Sequence, residues 1–135
     1  MTTALEDVRA TLHKRCDTIE ECYEYMLAYA AQGSPTEGGQ IRSFLTRADE
    51  AITALVGYTS TSGDELKGTS PAYAAFLAVA AADARASQAA VQLVLAQTAT
   101  SSQLIDNLNA SIHLRALLTD LFLLDEALKQ GRKDG

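Results

Sequence analysis

The sequence predicts an all-α protein, an antiparallel bundle of four long helices in one domain over residues 1–135. Ala and Leu dominate the apolar residues, and both lose little side-chain freedom in a helix. Proline occurs only at Pro35 and Pro71, each beside a residue that can cap a helix. Elsewhere apolar residues recur at intervals of three and four, which places them on one helix face. A chain of 135 residues can bury a core without disulfides or metals.

The first helix is predicted over residues 3–33. Thr3 and Glu6 match the T-x-x-E capping box, in which each side chain binds a free backbone N–H of the first turn. Gly33 is a typical residue at a helix end. The apolar stripe of this helix is Leu5, Val8, Leu12, Cys16, Ile19, Tyr23, Met26 and Ala30.

The second helix is predicted over residues 35–57. Ser34 can serve as the N-cap, Pro35 suits the first helical position, and Glu37 suits the positive helix end. The polar stretch that follows, residues 59–69 (TSTSGDELKGT), is predicted to be an interhelical loop.

The third helix, over residues 71–97, begins with Ser70 as the N-cap and Pro71 at the first position. Nearly half of it is alanine, and small side chains allow close approach of helix axes. We therefore expect it to pack against bulkier neighbours or a second subunit. Asp83 and Arg85 interrupt the alanines and indicate either the solvent face or a buried polar layer with an arginine of another helix.

The fourth helix is predicted over residues 100–130, with Thr100 and Gln103 as a second capping box and a frayed tail at 131–135. Its leucines span most of the helical wheel, more than one core-facing stripe requires. A homodimer that buries part of this helix is therefore expected. The residues predicted to form this interface are Leu117, Leu121, Phe122, Tyr25 and Tyr29.

A cluster on the first helix has the residue types of a metal site. The spacing of His13, Cys16, Glu20 and Glu24 places them along one face, and we predict these four as candidate metal ligands. Glu20 and Glu24 are a like-charge pair that needs a cation, either a metal or an arginine from another helix. The competing interpretation is a solvated acidic face with Cys16 in the core.

The charge of the chain argues against several partners. A formal net charge of −6 and a pI near 4.8 disfavour nucleic acid and anionic membranes, which require a basic surface. No apolar run approaches the roughly 18–20 residues of a membrane span. The first ten residues lack the pattern of a secretory signal. With two thiols that cannot pair on one helix, we expect a cytoplasmic location.

The sequence contains no phosphate loop, nucleophile elbow, Cys-x-x-Cys or His-Glu-x-x-His motif. We therefore predict no cofactor, and a non-enzymatic function is favoured over an enzymatic one. The leading hypothesis is an interaction protein (an accessory subunit, adaptor or chaperone-like protein) that binds itself or a protein partner through apolar helix surface. The alternative is a metal- or small-ligand-binding bundle with its site on the first helix. A third hypothesis is an enzyme with a cleft between the first and fourth helices.

Overall fold

The computed structural model describes residues 4–32, 38–67 and 70–134, and all regular secondary structure in these ranges is helical. The all-α prediction is confirmed, but the described part contains five helices. They are α1 (Ala4–Gln32), α2 (Gly38–Lys67), α3 (Pro71–Leu95), α4 (Ser102–Ala110) and α5 (His113–Asp134). The caps predicted at Thr3 and at residues 34–37 lie outside the described residues.

The helices pack side by side with neighbours in opposite directions. α1 packs against α2, α4 and α5, whereas α3 packs against α2, α5 and, over a shorter stretch, α4. The Tyr73 hydroxyl near the start of α3 donates to the carbonyl of Ala127 near the end of α5, at 3.0 Å. Arg42 near the start of α2 donates to the carbonyl of Leu95 at the end of α3, at 2.6 Å. Both contacts show antiparallel neighbours.

The core lies along the inner faces of all five helices. Burial of one large aliphatic side chain is worth about 1.5–3 kcal/mol, so these residues supply most of the stability. The largest side chains with under 2% exposure are Ile19, Cys22, Met26, Ile41, Leu45, Ile52, Leu55, Leu77, Val91, Ile105 and Leu117. Among the described helices, none is long and apolar enough to cross a membrane.

Arg42 also binds the connection between α3 and α4. Its guanidinium donates to the hydroxyl of Thr100 at 3.0 Å and to the carbonyl of Gln97 at 3.2 Å, besides the carbonyl of Leu95. The Tyr29 hydroxyl of α1 donates to the carbonyl of Thr100 at 2.5 Å. Side chains from α1 and α2 therefore hold the end of α3 in place.

The loop predicted at residues 59–69 is wrong for most of its length, because α2 continues to Lys67. Thr59 and Ser62 are only 6% and 4% exposed, so this polar segment has a buried side. The Thr59 hydroxyl donates to a carbonyl one turn earlier, at 3.1 Å. A hydroxyl that binds the backbone of its own helix can be buried without an unpaired group.

The single helix predicted over residues 100–130 is divided in two. α4 ends at Ala110 and α5 begins at His113. Between them Ile112 has φ 62°, a left-handed conformation that a β-branched residue rarely adopts. Its N–H donates to the carbonyl of Asn109 at 3.2 Å. The sequence has neither glycine nor proline at this break, so no local signal predicted it.

The ends of these helices also differ from the predictions. The N-cap of α4 is Ser101, one residue after the predicted Thr100, and its hydroxyl accepts from the N–H of Leu104 at 3.1 Å. α5 continues to Asp134, four residues beyond the predicted helix end at residue 130. Thr100 instead faces inward and is 9% exposed.

Candidate functional site

A cavity of about 110 Å³ lies between α1 and α5. Its apolar wall consists of Leu12, Leu121, Phe122 and Leu128. Its polar wall consists of Arg9, His13, Cys16, Asp17, Glu20 and Asp125. Three of the four predicted metal ligands therefore meet at one cavity, since helical periodicity placed them on one side of α1. α5 covers that side.

The polar wall is partly neutralised by ion pairs. The Arg9 Nε donates to the Asp125 Oδ1 at 2.8 Å, and the Lys129 Nζ lies 3.7 Å from the Asp125 Oδ2. The His13 Nε2 lies 3.7 Å from the Asp17 Oδ2, and both side chains are more than half exposed. Asp125 is thus answered by two cations, whereas Asp17 faces a histidine.

Burial and nearby carboxylates keep the Cys16 thiol protonated. Cys16 is 6% exposed, and burial is the largest cause that raises its pKa to about 12. The charges of Glu20, Asp17 and Asp125 raise the pKa further. Because the thiolate is the form that binds metal and attacks electrophiles, this cysteine is a poor ligand and a poor nucleophile near neutral pH.

The predicted metal site lacks a complete set of ligands. Glu24 is exposed and is absent from the cavity wall. Within the described ranges, no three His, Cys, Asp or Glu side chains are placed to hold a metal ion. Two arginines of α2 that could serve as counter-charges have other partners: Arg42 binds the end of α3, and Arg47 lies 4.4 Å from the ring centre of Phe44.

Three of the five predicted interface residues lie in the core of the domain itself. Leu117 and Leu121 are 1% and 3% exposed, and Tyr29 is 4% exposed. α5 packs against both α1 and α3, and two neighbours on different sides explain its wide apolar arc. Among the predicted interface residues of α5, Phe122 alone is about half exposed, at 48%, and it borders the cavity.

Tyr25, the remaining interface candidate, contacts α2. Its ring is stacked on Phe44 with centroids 4.3 Å apart, a favourable aromatic arrangement. Its hydroxyl donates to the Gln40 Oε1 at 3.1 Å. The half-buried tyrosine thus joins α1 to α2.

The solvent side of α3 carries an apolar face that the sequence analysis did not identify. Its eight residues, here called the outer α3 face, are seven residues of α3 and its C-cap Ala96, namely Ala72, Ala75, Val79, Ala82, Ala86, Ala89, Leu93 and Ala96. All are exposed except the half-buried Ala86, and Val79 and Leu93 are 46% and 65% exposed. The intervals alternate between three and four, which is the signal that could have revealed this face.

Asp83 lies beside this face and turns toward α5. Its carboxyl group lies near that of Asp120 on α5. Burial is the largest cause that raises the pKa of Asp120 to about 7, and Asp83 adds to it. The Asp120 Oδ2 is buried without a hydrogen-bond partner. Asp83 therefore has an acid as its neighbour in place of the arginine considered above, and Arg85 is exposed.

No family model matches this chain, and neither a curated protein nor a solved structure matches it. The fold and the two features above, the cavity and the outer α3 face, therefore carry the argument about function.

Proposed function

We propose that the chain is a non-enzymatic interaction protein that pairs with a second copy of itself through the outer α3 face. The observation that carries the proposal is an unbroken run of eight apolar residues at heptad spacing, on the solvent side of a helix. A surface helix of a monomer normally places charged and polar residues there. The predicted homodimer is kept, but its interface is moved from residues of α1 and α5 to α3, the helix for which a second subunit was one of the two expected neighbours.

The heptad spacing favours a helix as the occupant. Apolar residues that recur every 3.5 residues on average form the seam of a two-helix coil, in which side chains of one helix fill gaps in the other. The α3 seam is mostly alanine, so a partner helix can approach closely. At 25 residues, α3 offers about 37 Å of length for this contact.

The size pattern of the face favours a second copy in antiparallel orientation. In a pair related by a two-fold axis between Ala82 and Ala86, Val79 and Leu93 each face an alanine of the partner helix. Each large side chain then fills the space left by a small one. A two-fold interface requires this self-complementarity, because the same patch serves both subunits.

The contact is small, which predicts a reversible dimer. A strip of α3 about one helix wide buries roughly 400 Å² per chain. The total falls below the roughly 1,200–2,000 Å² of stable complexes. We therefore expect a dissociation constant in the micromolar range or weaker.

Sedimentation velocity over a concentration series tests the proposal. Ala82→Glu places a charge at the centre of the seam, whereas Ala28→Glu adds the same charge at an exposed position of α1. We expect the wild type and the control to shift from monomer to dimer, and Ala82→Glu to remain monomeric with unchanged helicity. Self-association would be refuted by wild-type protein that stays monomeric up to about 1 mM, since a dissociation constant of that size corresponds to a binding free energy of only about 4 kcal/mol. Equal behaviour of both variants would exclude the outer α3 face.

A further inference from the structure

We propose that the cavity between α1 and α5 binds a primary alkylammonium group, with the ammonium beside Glu20 and the alkyl chain against Phe122 and the leucine wall. The site lies on helices other than the outer α3 face, so the inference is independent of self-association. Its ligand class follows from the size of the cavity, its charge and its unpaired groups.

The size of the cavity selects a small group. Sites for drug-sized ligands have about 300–1,000 Å³, far above the 110 Å³ found here. An apolar cavity of about 150 Å³ holds one benzene molecule. The α1–α5 cavity therefore fits a chain of about four carbons with one head group, but no nucleotide or flavin.

The charge of the wall selects a cation. Asp17, Glu20 and Asp125 place three carboxylates in the wall, and the cations Arg9 and Lys129 both pair with Asp125. The same three carboxylates raise the pKa of the buried Cys16 thiol, so their negative potential reaches the interior of the cavity. An anionic ligand would be repelled there, and a neutral ligand would gain nothing from the carboxylates.

Unpaired groups in the wall match an ammonium rather than a metal. An alkylammonium has three N–H donors. Glu20 forms no ion pair among the described residues, and the buried Cys16 sulfur has no hydrogen-bond partner in the same ranges. The half-exposed Phe122 ring adds apolar surface for the alkyl chain. A metal would need three ligating side chains, which the described residues do not bring together.

NMR titration of the isotope-labelled full chain with n-butylammonium at pH 7 and low salt tests the site. n-Butanol and butyrate serve as neutral and anionic ligands of the same length. Glu20→Gln removes the predicted charge with little change of shape, and Glu24→Gln removes the same charge one turn away, outside the cavity. Thermal unfolding verifies that both variants are folded.

We expect saturable shifts of α1 and α5 resonances at millimolar n-butylammonium and no saturation with the other two ligands. Glu20→Gln should weaken binding about tenfold, as for the loss of one charged hydrogen bond, and Glu24→Gln should leave it unchanged. The proposal would be overturned if n-butanol saturated the site equally well, or if both variants weakened binding equally. It would also be overturned if n-butylammonium showed no saturation up to about 100 mM, where binding is worth under 2 kcal/mol. Titration with N-acetyl-lysine methylamide distinguishes the sources: comparable binding indicates a lysine side chain, and its absence indicates a free amine.

Discussion

Substitutions at Ile112 test the break between α4 and α5, because the sign of the resulting change in stability distinguishes a broken helix from a continuous one. A left-handed conformation costs a residue with a Cβ about 1–2 kcal/mol, and glycine is free of this cost. Ile112 is 59% exposed, so its replacement removes little apolar burial. The greater freedom of glycine in the unfolded chain offsets about 0.4–1 kcal/mol. We therefore expect Ile112→Gly to stabilise the protein by about 0.5–1 kcal/mol.

Ile112→Ala is the matched variant, because alanine removes the same bulk but keeps the strained Cβ. If residue 112 is left-handed, the free energy of unfolding of the glycine variant should exceed that of the alanine variant by about 1 kcal/mol. If the helix is continuous, as the sequence predicts, the alanine variant should instead have the larger free energy of unfolding, by about 1 kcal/mol. The expected stability difference between the two variants therefore changes by about 2 kcal/mol, and changes sign, between a broken and a continuous helix.

Urea unfolding followed by circular dichroism measures the free energy of unfolding of each variant, with a common slope as the condition for comparison. A difference of 1 kcal/mol corresponds to a shift of roughly 3–6 °C in Tm for a chain of this length. An alanine variant more stable than the glycine variant would refute the break at Ile112 and support one long helix.

Three further predictions concern helix length, pH and thiol reactivity. Gly57→Ala should stabilise the protein by about 0.5–1 kcal/mol, since glycine is unfavourable inside a helix and an added Cβ meets no atom within 4 Å; a loss of stability in urea would contradict the extension of α2. The pKa of Asp120 is raised from 3.8 to about 7, so the folded protein holds a proton that the unfolded chain releases, and stability falls as pH rises from about 4 to 7. Asp120→Asn and the companion variant Asp83→Asn should each reduce this loss of stability and raise the free energy of unfolding at pH 8 by about 1 kcal/mol. Equal pH profiles of variant and wild type would exclude the pair as the source of the pH dependence. Cys16 and Cys22 are buried, and burial is the main cause that raises both pKa values to about 12. An aromatic disulfide reagent at pH 8 should therefore label both only in urea, and rapid labelling of the native protein would show that they are accessible.

Local signals predicted the start of α3 and failed at the two places where distant contacts decide. Pro71 fixes the first turn of α3 wherever the helix packs. Thr59 continues α2 because one side of that segment is buried, and burial depends on neighbours that a sequence window does not contain. The break at Ile112 has no glycine or proline to announce it.

Periodicity located part of the site for the same reason. It placed His13, Cys16 and Glu20 on one side of α1, because the geometry of a helix is local. It could not show that Glu24 lies outside the cavity wall. It also could not distinguish a leucine such as Leu117 that packs between two helices of its own domain from one that packs against another subunit.

The hydrogen bonds from Arg42 to the last carbonyl of α3 and to the connection that follows it affect the entropy of association. Helix ends normally fray, and a frayed end must be ordered before it can bind, which costs about 0.5–1.5 kcal/mol for each immobilised side chain. Leu93 lies two residues before the anchored carbonyl of Leu95, so its backbone is already ordered in the free chain. A residue of α2 that is not itself part of the outer α3 face thereby prepares it for a partner.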